Sequence, residues 1–155
     1  MPQMNKGGKF IFGKSLIREN LKVQFPLQAI QEYDICLENR IYLFSGAKTT
    51  GGFCVTRKGI LEPSKIGNIL NETPDLRDYK LAEGKFIDYK GRKYCWINIS
   101  EDGLIELNEE MLEVLELSIG MELLSIRSSD IAFTMGAKGP LLEKAKNYQG
   151  TIEVY

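Results

Sequence analysis

LKVQFPLQAIQEYDICLENRIYLF, residues 21–44, is the stretch on which the fold turns. Leu21, Val23 and Phe25 alternate with polar residues, which predicts a half-buried strand over 20–25. Pro26 then suits the first turn of a helix, where its missing N–H costs nothing. Ala29, Ile30 and Tyr33 recur at helical spacing, so about two turns of helix follow. Residues 34–39 turn the chain, and 40–45 (RIYLFS) read as a strand.

The same plan returns in GLIELNEEMLEVLELSIGMELLSI, residues 103–126. Residues 103–107 read as a strand and 108–116 as a helix. Asn108 is placed to cap that helix, with Glu109 and Glu110 in its first turn. Residues 121–127 read as a strand. A shift of 82 places Val23 on Ile105, Phe25 on Leu107, Tyr33 on Leu115, Leu37 on Ile119 and Ile41 on Leu123. A shift of 80 then aligns identical residues: Phe53 with Phe133, Lys58 with Lys138, Gly59 with Gly139 and Leu61 with Leu141. Any two strand–helix–strand stretches of mixed composition align to some degree. Here five elements keep their order and the two-residue gap falls in a loop, which favours a tandem duplication.

Further strands are expected over 9–12, 53–57 and 130–135, with a hairpin of 85–89 and 92–98 joined at Lys90-Gly91. A helix is expected from Ser64 to Leu70 and another from Pro140 to about Tyr148. TIEVY closes as a strand. The polar, turn-rich stretch 71–84 reads as a linker. The chain is thus expected to be mostly β, of α+β class. A first module (1–70), the linker (71–84) and a second module (85–155) would form one barrel, since neither unit alone buries much of a core.

Composition excludes a good deal. The 155 residues contain no histidine, so no Ser-His-Asp or Cys-His couple and no imidazole ligand exists. No enzyme activity and no cofactor is expected. Cys36, Cys54 and Cys95 are widely spaced, with no Cys-x-x-Cys pair, and read as reduced, buried thiols in a cytoplasmic protein with no metal site. No apolar run reaches 18 residues, so no membrane span is expected.

The two repeated stretches resemble the swapped-hairpin module of the AbrB/SpoVT family. In that module an apolar strand ends in Ile-Pro or Leu-Pro, followed by a short helix, a Leu-Gly-Ile step and a strand. Val23, Phe25, Pro26 and Ile35 match its first part. The second copy has Asn108 where the proline stands, and matches later, through Leu115, Leu117 and Gly120. The resemblance covers roughly 20–57 and 103–135, and two modules in one chain are similar to the MraZ arrangement. It implies interlocked hairpins and DNA binding, in transcriptional regulation, through basic residues before the proline strand. Carried onto this chain, those residues are Lys14, Arg18 and Lys22.

Charge bears on that expectation. Residues 1–25 hold five basic residues against Glu19, while 101–125 hold eight acids and no base, within an overall net charge of −1. A one-sided binder would pair its basic halves by forming a homodimer or higher homo-oligomer. A solvated strand face explains Lys14, Arg18 and Lys22 equally well. The alternative function is a module of the same fold that has lost DNA binding and holds a protein partner or small ligand through 127–139. There Arg127, Ser128, Ser129, Gly136, Lys138 and Gly139 form a candidate anion loop, against a structural reading as a turn with an internal Arg127–Asp130 pair. SGAKTTGG (45–52) lacks the spacing of a phosphate loop and reads as a hairpin loop.

Overall fold

Val23 and Ile105, which the 82-residue shift superposes, face each other across a two-stranded antiparallel ribbon of β3 (Lys22–Gln24) and β8 (Leu104–Glu106). The computed structural model describes residues 5–6, 9–139, 142–143 and 154–155. The chain is mostly antiparallel β with short helices. The main sheet runs in the order β1 (Asn5–Lys6), β2 (Lys9–Leu16), β9 (Glu122–Arg127), β10 (Phe133–Gly136), β5 (Phe53–Thr56), β4 (Arg40–Ser45), β7 (Arg92–Asn98), β6 (Ile87–Tyr89). Helix α1 (Leu27–Tyr33) follows β3, and α5 (Glu109–Leu115) follows β8. Between β5 and β6 lie α2 (Lys58–Leu61), α3 (Asn68–Glu72) and α4 (Pro74–Arg77). Among the described residues no helix is long and apolar enough to cross a membrane.

The order from β2 to β7 is a palindrome under exchange of β2 with β7, β9 with β4 and β10 with β5. The ladders keep the same exchange. Cys54 faces Thr134, 80 residues on, with Phe53 opposite Met135 and Val55 opposite Phe133. Ile41 pairs with Ile97 and Leu123 with Ser15, which are the same pair shifted by 82. Even the turns agree. Arg18 N donates to Lys22 O and Ser100 N to Leu104 O, while Phe25 N donates to Gly103 O and Leu107 N to Leu21 O. The two-residue change of shift falls between the seven-residue turn after β4 (46–52) and the five-residue turn after β9 (128–132).

One core lies between the sheet and a cover made of the β3–β8 ribbon, α1 and α5. Phe25, Ala29, Ile41, Leu43, Val55, Ile97, Ile105, Met111, Leu123 and Phe133 fill it. A second cluster covers the other face of β5, β4 and β7, where Leu61, Ile69, Leu70 and Leu76 pack on Tyr42, Phe44, Tyr94 and Trp96. The alternation along β4 and β7 dictates this split, since successive strand side chains point to opposite faces.

Several expectations need correction. The sheet is open: among the described residues no ladder joins its outer strands, and the closing position expected of a barrel is taken by the β3–β8 ribbon, tied down where Ser15 Oγ donates to Gln24 O. Ser64 does not cap a helix. Its hydroxyl donates to Leu61 O in the turn after α2, and of the helix expected over 64–70 only the end is helical, in α3, while α2 precedes Ser64. The stretch 71–84 carries α4 and buries Leu76, which a bare polar linker would not. β10 begins three residues later than expected because 128–132 form a turn closed by Ser129 N donating to Ala132 O. Of the expected helix from Pro140 only Leu142 and Glu143 are described, and both are helical, with Glu143 N donating to Gly139 O; most of the closing strand lies outside the described residues, apart from a bridge between Lys14 and Val154.

Candidate nucleic-acid interface

Lys14, Arg18 and Lys22 do not share a surface. Lys14 faces Leu124 across the ladder, so its side chain leaves the sheet on the side of the small cluster of Ile11, Leu124, Ile126 and Leu142. Its neighbour Ser15 points the other way, to Gln24 of β3. Lys22 therefore sits on the opposite side of the sheet from Lys14. Its cross-strand partner is Glu106, and both line a cleft of about 360 Å³ with Glu83. A phosphate reaching Lys22 meets two carboxylates. Arg18 is exposed in the turn between β2 and β3, beside Glu19.

The segment 127–139 does not form one loop either. β10 separates its two parts by four strand residues, about 13 Å. At one end Arg127 is engaged by Glu32 at 3.2 Å and Asp130 at 3.1 Å. Ser128 Oγ donates to Ala132 O, and Ser129 Oγ accepts from Ile131 N and Ala132 N. Tyr33 Oη donates to Ser129 O and Ala132 O, and burial raises its phenol to a pKa of about 12. These groups build the turn and anchor α1 to it, as the internal-pair reading expects.

At the other end the structure brings together two stretches that sequence reading treated apart. Gly46-Ala47-Lys48 opens the β4–β5 turn, and Gly136-Ala137-Lys138 closes β10. Antiparallel pairing of β5 with β10 sets the start of one beside the end of the other. Ala137 N and Lys138 N both donate to Thr50 O, at 2.8 and 2.9 Å. Contact between the two turns is close enough to demand glycine. A Cβ on Gly52 would stand 1.9 Å from Met135 O, and one on Gly139 2.5 Å from Thr49 O.

The β6–β7 turn lies at this same end, because Tyr94 pairs with Phe44 and Arg92 is therefore level with Gly46. Lys48, Lys90, Arg92, Lys93 and Lys138 are all exposed there. Arg92 lies over the Phe44 ring and Lys90 over the Tyr89 ring. Among the described residues the acids at this end include Asp88, bonded to Lys93 at 2.7 Å, Glu122 at the start of β9, Glu72, which accepts from Tyr89 Oη, and Glu19 in the turn after β2. The related turn at the opposite end carries Asp130 where Lys48 stands, with Asp34, Glu101 and Asp102 in neighbouring turns. That opposite end also carries cations, Arg57 paired with Glu38, Arg127 with Glu32 and Asp130, and Arg40 and Lys58.

Sequence reading singled out Lys138 but not Lys48, Lys90, Arg92 or Lys93. The available signal was the doubled Gly-Ala-Lys, which joins only when the two hairpins pair about their pseudo-dyad. At that dyad Cys54 Sγ lies 3.5 Å from Thr134 Oγ1 and is 8% exposed; burial raises its thiol pKa. Among the described residues no group of three or more cysteine and carboxylate side chains is placed to hold a metal ion. Comparison of the chain with family models, curated proteins and solved structures finds no match.

Proposed function

We propose that this chain binds duplex DNA as a regulator of the AbrB-like type, and that its phosphate contacts are Lys48, Lys90, Arg92 and Lys138. The carrying observation is the convergence of five exposed cations from three turns on one sheet end, where the related turn at the other end has Asp130 in place of Lys48. Such a surface supplies sequence-independent affinity through counterion release. The palindromic strand order and the register shared at shifts of 82 and 80 support the tandem-module reading. A homodimer would present two such ends to one duplex.

Fluorescence anisotropy with a labelled random duplex tests the assignment. The double variant Lys48→Glu/Lys138→Glu is expected to bind at least tenfold more weakly, whereas Lys22→Glu changes binding little. The reverse ranking would return the contact to the N-terminal arm. The second reading, a module that holds a protein or small ligand, draws on Lys22 facing Glu106 and Glu83. Absence of DNA binding by the intact chain at low salt would leave that reading standing and end the first.

A further inference from the structure

Arg40 and Lys58 bring two cations together at one end of the sheet. The β4–β5 ladder ends at Tyr42 and Thr56; beyond it Lys58 opens α2, while Arg40 pairs with Asn98 of β7. Like charges held close together repel. At the related positions of the other repeat stand Glu122 and Lys138, of opposite sign. Arg40 and Lys58 meet over one ring: Arg40 Cζ is 4.6 Å and Lys58 Nζ 4.2 Å from the centre of Tyr79. The two charges are therefore less than about 9 Å apart, within reach of one oxyanion carrying several oxygens. Among the described residues neither cation has a carboxylate within salt-bridge distance. Of the acids nearby, Glu38 is engaged by Arg57 at 2.8 Å and Asp78 by Nε and Nη2 of Arg77, while Glu62, exposed at the end of α2, is near enough for its charge to act on Tyr79.

Tyr79 itself is held at a cost. Its φ is +59°, a region that bulky residues seldom occupy. It is stacked on Tyr42 at 5.7 Å and meets the edge of Trp96 at 5.3 Å, while Arg40 also lies over Trp96. Tyr42 Oη donates to Leu76 O and Arg77 O, which locks the turn that presents Tyr79. The whole device rides on α2–α4, the segment that joins β5 to β6.

From this juxtaposition we infer that Arg40 and Lys58, above the Tyr79 ring, form a binding site for a small phosphate-bearing anion. The site is separate from the basic turns, at the opposite end of β4. The anion relieves the repulsion between the two cations and rests against an aromatic floor that also excludes water from one side of them.

Trp96 is the only tryptophan in the chain and touches both Tyr79 and Arg40, so its fluorescence reports on the site. Pyrophosphate titrated into the full chain at constant ionic strength should change Trp96 emission saturably. Arg40→Gln and Lys58→Gln should each raise the half-saturating concentration at least tenfold, with Lys65→Gln, on the exposed surface, unchanged. Far-UV circular dichroism and urea midpoints establish that each variant is folded. A response that does not saturate, that chloride reproduces, or that persists in both variants overturns the site. A parallel titration with duplex DNA separates the sources. If DNA alone perturbs Trp96 through Arg40 and Lys58, the small-anion assignment fails. Loss of DNA binding on reversal of Lys48 and Lys138, by contrast, tests only the other surface.

Discussion

Gly52 and Ser125 mark opposite extremes of what a single residue does here. Gly52 has φ +65° and a carbonyl oxygen where a side chain would begin, so Gly52→Ala is both strained and blocked. It is expected to cost roughly 2–4 kcal/mol, read as a lower urea midpoint. Ser125 is fully buried with an unpartnered Oγ, opposite Gly13 on β2. Removing an unsatisfied hydroxyl is neutral or favourable, so Ser125→Ala should leave the midpoint unchanged or raise stability by up to about 1 kcal/mol. A loss at Ser125 equal to that at Gly52 would contradict both assignments. Neither role was legible in sequence: Gly52 is explained by Met135 and Ser125 by a neighbour on another strand, both distant along the chain. Val23, Phe25, Ala29 and Tyr33 were legible, because strand alternation and helical spacing are local properties.

Among the elements, α5 shows what local signals specify. Asn108 Oδ1 accepts from Met111 N at 2.8 Å, the cap its position foretells, whereas Pro26 before α1 offers no such bond. Asn108→Ala is expected to cost about 1 kcal/mol in urea denaturation, and a change below about 0.3 kcal/mol would mean the cap contributes little. The helices α2–α4 were misread because each is only four or five residues long and leans on tertiary contacts of Leu61, Ile69, Leu70 and Leu76 rather than on a repeating face. The bulge in β2 was likewise invisible. It breaks the register between Ile11 and Gly13 and turns Phe12 into the core, edge-on to Tyr33 and Phe133. Gly13 and Ser125 are small where the related strands carry Cys95 and Leu43, and only the pairing of β2 with β9 reveals that exchange.

For the whole molecule, the crossed ladders have a mechanical consequence. β2, early in the chain, pairs with β9, and β7, late in the chain, with β4. Neither half of the chain can leave without breaking the other's sheet, so urea unfolding should be one transition. Trp96 fluorescence and far-UV circular dichroism should trace the same curve, and separated midpoints would contradict the crossing. Alkaline pH should weaken that single unit. Burial raises the thiols of Cys36, Cys54 and Cys95 above their ordinary 9.0, and raises Tyr33 to about 12 and Tyr42 further. Below pH 9 both folded and unfolded chains keep these protons. As pH rises from about 9 to 12 the unfolded chain releases them first, so stability falls through that window. A urea midpoint that holds constant from pH 8 to 11 would refute it. The charge pattern is the remaining property of the whole, and it bears directly on function: the basic turns can hold DNA only by displacing counterions. The most direct measurement is the affinity for a random duplex across a salt series. Four phosphate contacts predict a slope of log K against log salt of about −4, reduced to about −2 when Lys48 and Lys138 are reversed. A slope near zero, or no binding at low salt, would contradict the account.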